Sequence, residues 1–353
     1  MTDTDRLVIG GVDAHHDTHH AVALDEHGQR LGDAAFAVTS SGYEQLLGWL
    51  ADFGTIVAVG VESTGSYAAG LTRFLLAADI AVVEINQPHA HLRHRRGKTD
   101  AIDAEAAARK VHSGEATGRP KDTTGIVESI RQLKITRESA VKARSAALVQ
   151  FGQLIVTAPD ELRESLGKRK TLKGKASLCT RLRPDPARTS EPLQAAKLAL
   201  RSLGRRIAGL DDEIRELDRE LDELVAQAVP RTTARLGVGT QHAAQLLCTA
   251  GENIDRLHDE AAFAHLCAVA PIPASSGKTQ RHRLNPGGDR GANRALHMIV
   301  VVRLRYCDRT KNYMQRRIAE GKSKRETMRC LKRYVLREIH TTLRQDLAEL
   351  EAT

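Results

Sequence analysis

Short apolar runs separated by turn residues open the chain. Leu7–Val12 (LVIGGV) and His19–Leu24 (HHAVAL) each have strand length, and Gln29–Val38 is a weaker third, with a turn at Glu26-His27-Gly28 between the second and third. From Ser40 to Phe53 the residues Tyr43, Leu46, Leu47 and Leu50 take up helical spacing. Ile56–Val61 (IVAVGV) reads as a buried strand, Ser66–Ala78 as a helix, Ile80–Ile85 as a strand and Ala101–His112 as an alanine-rich helix. Beyond Pro120 the strand pattern stops. Val127–Val156 is a long helical stretch of mixed charge, and Glu161–Glu191, basic and broken by prolines, reads mostly as a loop. Leu200, Leu203, Ile207, Leu210, Ile214, Leu217, Leu221 and Leu224 then alternate spacings of three and four, the heptad seam of a coiled coil or of a long helix packed in a bundle. Leu236-Gly-Val-Gly-Thr opens a further helix, either as a phosphate-presenting turn or as a plain helix corner. Phe263–Ala270 is helical, Pro271–Gly291 a polar loop, and basic helices follow from Ala292.

Three strands, then helix, strand, helix, strand and helix, is the order of an RNase H-like domain. The fold class expected is therefore α/β plus all-α. An RNase H-like mixed-sheet domain is expected over residues 1–118, a helical and coiled-coil region over 119–229 with its basic loop at 161–191, and a basic helical domain over 230–353. With 353 residues and 41% apolar content the chain has enough material for more than one core.

Charge adds a direction. The whole chain carries +9, but Ser275–Thr353 alone holds 19 Lys+Arg against 8 Asp+Glu, so the remainder is close to neutral. A basic C-terminal domain on a neutral body points to a polyanion partner or to a merely solvated basic face. No run of about 18 apolar residues is present, which excludes a spanning helix. The first residues carry acids ahead of a short apolar run, unlike the basic start of a secretory leader. Five cysteines, odd in number and never in CxxC spacing, argue against a disulfide framework or a zinc finger and fit a reducing bacterial cytoplasm.

Four carboxylates stand out by position. Asp13 directly follows the first apolar strand and Glu62 the fourth, so both fall at one edge of a sheet. Asp100 and Asp103, in KTDAIDAEA, open a helix three residues apart and share a face. Acids gathered in one place repel each other unless a cation compensates. An all-oxygen set suits Mg²⁺, which would align an attacking oxygen and a scissile phosphate. Taken singly, Asp13 is equally a turn residue, Asp100 an N-cap and Asp103 a first-turn acid favoured by the helix dipole. The run His15-His16-Asp17-Thr18-His19-His20 invites a transition-metal reading, opposed by strand alternation and by the absence of a companion cysteine. Arg93, Arg95, Arg96 and Lys98, just before Asp100, form a basic stretch that reads either as a contact for nucleic-acid backbone or as a solvated loop.

The loop Ala270-Pro-Ile-Pro-Ala-Ser275-Ser276-Gly277-Lys278 leads into QRHRLNPGGDRGANRALHM. On spacing alone a serine there is a turn or phosphate-contacting residue, because an unaided hydroxyl is a weak nucleophile. Together, however, Asp13 in GVDAHHDTHHAV, Glu62 in VESTGSY, KTDAIDA, and SSGK…RLNPGGDRGANRALH resemble the signatures of the insertion-sequence one-ten family of transposases. The resemblance covers nearly the whole chain. It implies a site-specific DNA recombinase that moves its own element through a Holliday-junction intermediate, directed by a non-coding bridge RNA. It further implies that Asp13, Glu62, Asp100 and Asp103 bind Mg²⁺ and that Ser276, with Ser275 its neighbour, attacks the DNA phosphate. The composite site would form between subunits of a dimer or tetramer. Lys278, Arg281, Arg283, Arg290 and Arg294 are the nucleic-acid contacts expected around the serine. Many members carry Gly-Asn-x-x-Leu-Arg after the serine loop; here the run is Gly291-Ala-Asn293-Arg294-Ala-Leu296-His297, which leaves Arg290 and Arg294 both as phosphate-holding candidates. The rival readings are a RuvC-like structure-specific nuclease using water, and a non-catalytic nucleic-acid-binding protein.

Overall fold

The computed structural model describes residues 6–85, 99–279 and 282–352 and, of Asp255 and Arg256, the backbone only. The chain divides into two compact units, residues 1–125 with 250–258, and residues 126–249 with 259–353.

The first unit is built on strands β1 (Leu7–Ala14), β2 (Thr18–Asp25), β3 (Arg30–Ala37), β4 (Thr55–Glu62) and β5 (Val82–Ile85). They form one mixed sheet in the order β3-β2-β1-β4-β5, with β1, β2 and β3 antiparallel and β4 and β5 parallel to β1. This is the RNase H-like arrangement expected from the element order. Helices α1 (Ser40–Ala51) and α2 (Ala69–Ala77) cover one face, where Val8, Val12, Val59 and Val61 meet Leu46, Leu50, Leu71 and Leu75 in the core. The other face receives α3 (Asp100–His112), with Val22 and Leu24 against Ala104 and Ala108. Alternation along each strand sorts the residues. Val8 and Val12 serve the α1/α2 side, which leaves Gly11 and Asp13 on the α3 side.

In the second unit α4 (Gly125–Val156) and α7 (Pro192–Ala228) run antiparallel, tied by Arg137 to Asp218 at 2.7 Å and Arg144 to Asp211 at 2.5 Å. Between them lie α5 (Asp160–Gly167) and α6 (Leu172–Cys179). Residues 161–191, expected as a basic loop, are thus largely helical. Pro159 sits at the N-cap of α5, Pro186 opens a single 3-10 turn and Pro192 opens α7, while Pro184 lies in the non-helical stretch 182–185. The basic side chains Lys168, Arg169 and Lys170 stay exposed, while Leu162, Leu166, Ala176 and Cys179 pack with Phe151, Leu200 and Ile207. On the heptad seam Leu200, Ile207 and Leu221 are fully buried and Leu203, Leu210, Ile214, Leu217 and Leu224 half-buried within this one chain.

The rest of this unit comprises α8 (Thr240–Ala250), α9 (Glu260–Leu266), a hairpin of β6 (Ile272–Pro273) and β7 (His282–Arg283), α10 (Arg290–Tyr306), α11 (Asp308–Ala319) and α12 (Lys324–Glu351). Helix α12 begins with a capping box of Ser323 and Glu326 and buries Leu331, Val335, Leu336, Ile339, Leu343 and Leu347. Near its end the buried Asp346 carboxylate accepts from Arg231 N at 3.1 Å, Thr232 N at 3.0 Å and Thr232 Oγ1 at 2.7 Å, which locks the turn after α7 to α12. The Leu236-Gly-Val-Gly turn serves packing: a Cβ on Gly237 would come 3.1 Å from Ile299 O, and Arg303 Nε donates to Leu236 O at 2.8 Å. No described helix is long and apolar enough to cross a membrane.

Candidate active site and nucleic-acid surface

Asp13, Asp100 and Asp103 come together because α3 lies close to the sheet, and Glu62 stands at the end of the neighbouring strand. A Cβ on Gly11 would stand 2.2 Å from Ala104 O, and one on Gly60 2.8 Å from Ala107 O. Glycines on the strands and alanines on the helix let the backbones approach, which is why both segments are rich in small residues. The approach brings the first turn of α3 to the ends of β1 and β4. Asp13 lies two residues beyond Gly11 and Glu62 two beyond Gly60, hence on the same face. They stand one step past the last β1–β4 pairing, Val12 with Val61. Thr99 caps α3 by accepting from Ile102 N, so Asp100 is freed from the capping role and stands at the first helical position.

Asp13 is buried, Asp103 is buried and Asp100 is exposed. His15, two residues past Asp13, reaches both, with Nε2 3.2 Å from Asp13 Oδ2 and 3.3 Å from Asp100 Oδ1. Burial pushes the Asp13 carboxyl above the usual carboxylate range; the Asp103 and Asp100 carboxylates push the same way, and His15 opposes them. An acid held against other acids in a partly buried place is an arrangement a divalent cation relieves. The ligand atoms of Asp13, His15 and Asp100 all lie within 4.8 Å of one another, so these three fit such an ion. The neighbouring backbone is unusual: Ser63, directly after Glu62, has φ 57°, a left-handed conformation that is strained for serine.

The remaining histidines disperse. His16 bonds Asp17 at 2.6 Å, His20 bonds Asp33 at 2.7 Å, and the fully buried His19 stacks on Tyr43 with ring centroids 5.8 Å apart. The sequence had offered His15 only as one of a run. The usable signal was the Asp-x-His spacing, which puts both side chains on one strand face. Arg93, Arg95, Arg96, Lys98 and Arg281 lie outside the described residues.

Ser276 occupies the tip of the β6–β7 hairpin. Its N–H donates to Thr279 O at 3.1 Å, Thr279 N–H returns the bond at 3.0 Å, and Gly277 turns the chain at φ 55°. Both Ser276 and Lys278 are exposed, as is Arg283 on β7. The root of the hairpin is fastened by the motif residues that follow. Asn285 Nδ2 donates to His265 O at 3.0 Å, and Asp289 caps α10 by accepting from Gly291 N at 2.7 Å while also accepting from Thr249 Oγ1 at 2.7 Å. Asn293 Nδ2 donates to Ala268 O at 2.7 Å. Arg290 and Arg294, one turn apart on α10, are exposed and border a cavity of about 860 Å³. That cavity is also lined by Arg316, Arg329, Lys332, Tyr313 and Tyr334, a set without a local sequence signal because it assembles from two further helices. The four acids belong to the first unit and Ser276 to the second.

Gly11→Ala tests the glycine contact. The added methyl drives α3 off the sheet, with an expected loss of about 1–3 kcal/mol in stability, read as a lower melting temperature. Melting at the wild-type temperature would contradict this close approach.

An RNase H-like sheet with acids at its strand ends thus stands on one chain with a basic helical unit. A family model described as a transposase, of the DEDD type named for IS110, matches residues 10–158, and a second, described as transposase IS116/IS110/IS902 family, matches residues 234–315. The insertion element IS900 uncharacterized 42 kDa protein of Mycobacterium paratuberculosis is 24% identical over 392 residues, covering 98% of each chain. The chain belongs to the IS110 family of insertion-sequence transposases, the insertion-sequence one-ten family its motifs resemble. The family implies DNA binding and DNA recombination.

Proposed function

We propose that this transposase cuts and rejoins DNA by a covalent serine–DNA link, with the acidic cluster assisting at the scissile phosphate. The observation that carries the reading is the convergence of Asp13, His15 and Asp100 at the sheet edge, next to Asp103, on a chain that also presents Ser276 at an exposed hairpin tip. Asp13, Glu62, Asp100 and Asp103 would hold Mg²⁺, which when bound supplies charge neutralisation at the phosphate. Ser276 Oγ bonds to phosphorus, the bond from phosphorus to one deoxyribose oxygen breaks, and that oxygen leaves with a proton while the serine proton passes to solvent. A second strand's hydroxyl then reverses the step and restores the serine, so the phosphodiester count is unchanged. Lys278, Arg283, Arg290 and Arg294, with Arg93, Arg95, Arg96, Lys98 and Arg281, neutralise the backbone.

The acids and the serine belong to different units, and a family site shared between subunits gives this division a purpose. We therefore read the active form as a homo-oligomer, a dimer or tetramer. Division at about residues 118 and 229 separates a RuvC-like domain, a helical spacer and a serine-bearing domain. RNA guidance is supported by the family resemblance: base pairing would then supply the sequence reading.

Purification from cells carrying the element tests guidance. The expected result is a discrete copurifying RNA with segments complementary to the element and to its target. Bulk cellular RNA alone, with recombination proceeding after ribonuclease treatment, would overturn it.

A further inference from the structure

The cavity bordered by α10, α11 and α12 has the composition of a nucleotide subsite rather than of a solvated basic face. Its volume of about 860 Å³ falls within the range of about 300–1,000 Å³ in which cofactor-sized molecules bind. Arg316 and Arg317 pair with Glu320, and Arg333 and Arg337 with Glu260, while Arg290 and Arg294 stand exposed at the cavity wall. Lys332 is half-buried with its Nζ donating to the neutral Asn293 Oδ1 at 2.7 Å, and burial, with the neighbouring Arg329 guanidinium, pushes its ammonium down. A partly desolvated cation facing other cations is costly unless an anion joins them.

The aromatic part is equally specific. Tyr313 and Tyr334 lie edge to face at 5.4 Å, Arg316 sits 5.4 Å from the Tyr313 centroid and Arg337 5.6 Å from that of Tyr334. Tyr334 remains 45% exposed, so ring surface is left for a planar ligand. Cations alone recognise any polyanion; cations around a tyrosine pair recognise a phosphate that carries a base. A base inside a cavity has left its stack, which excludes an intact duplex.

The walls give the cavity a purpose. Ala270 and Pro271 lead into β6, and Leu284 and Asn285 lead out of β7, so the cavity lies at the root of the hairpin whose tip is Ser276. From Pro271 to Ser276 the chain spans at most about 16 Å at strand rise. We propose that this cavity holds one unpaired nucleotide, its base against Tyr334 and its phosphate against Arg294 and Lys332, and thereby positions a single strand beside the serine hairpin. The proposal rests on the chain acting on nucleic acid and on neither the serine linkage nor the metal.

Binding is therefore measured without cutting, in chelator, with short labelled single strands of DNA and of RNA and with the matching DNA duplex. Tyr334→Leu is expected to weaken a single strand about tenfold or more through lost stacking, with the duplex unchanged, and Tyr334→Phe to bind as the wild type. Photocross-linking of a strand bearing one 5-bromouracil is expected to mark Tyr313 or Tyr334. Tyr334 dependence with DNA assigns the subsite to a DNA strand, and with RNA to a guide strand; either supports the proposal. Equal losses for single strand and duplex, no loss with Tyr334→Leu, or cross-links that fall elsewhere would overturn it. Because the assay contains no turnover, loss of the covalent-serine reading leaves these results intact, and the reverse.

Discussion

Asp13→Asn is expected to lower DNA cutting by about 10²–10³-fold while leaving the protein at least as stable as the wild type. The functional loss follows from geometry: Asp13 is the buried member of the cluster with His15 and Asp100, and it lies beside Asp103 on the face that receives α3. Removing one preorganised charge from a catalytic site costs about that factor. The stability follows from electrostatics. Burial and the Asp103 and Asp100 carboxylates raise the Asp13 pKa in the folded chain, so the folded state binds a proton more tightly than the unfolded one. In metal-free protein this makes the ionised carboxylate destabilising: stability falls as pH rises from the unfolded value through the raised folded value. Asparagine removes that slope, so metal-free Asp13→Asn melts at or above the wild type at neutral pH and shows a flatter pH dependence across the acidic range. Chelation of divalent ions reproduces the loss of cutting in the wild type, and Mg²⁺ restores it there but not in the variant. A variant that cuts normally, or one that simply unfolds, contradicts the reading of the acids as a charge-gathering site.

Ser276→Ala is expected to remove the protein–DNA adduct altogether, a fall of about 10⁴-fold or more, with DNA binding and melting unchanged. The substitution is mild for the fold because the hairpin tip is closed by main-chain bonds between residues 276 and 279, and the serine side chain is exposed. The adjacent Ser275→Ala serves as the contrast and is expected to retain the adduct. If Ser276→Ala continues to cut strands, water is the nucleophile and the chain acts as a nuclease.

The sheet was legible because its strands are short apolar runs of the right length, bounded by turn residues, and because alternation places Asp13 and Glu62 on one face. The convergence of α3 was less visible. It depends on Gly11 and Gly60 meeting Ala104 and Ala107, a contact between segments far apart in sequence that no local pattern encodes. Residues 161–191 read as a loop because prolines count as breakers; Pro184 does lie in a non-helical stretch, but Pro186 opens a 3-10 turn and helices α5 and α6 fill most of the rest. His15 was hidden among its neighbours; only the fold separates it from His19 in the core and His20 on Asp33. Asp289 and Asn293 stand inside the family motif and fasten the hairpin root, a part that no local pattern signals. The tyrosines of the basic cavity gave no sequence signal, since Tyr313 and Tyr334 come from different helices.

A serine link to DNA is read most plainly by mass spectrometry of the denatured, nuclease-trimmed adduct formed by wild-type protein on its element's end. A nucleotide remnant joined through phosphate to the peptide containing Ser276 is expected. Strand cutting with no protein-bound nucleotide, or a remnant on any other residue, would contradict it.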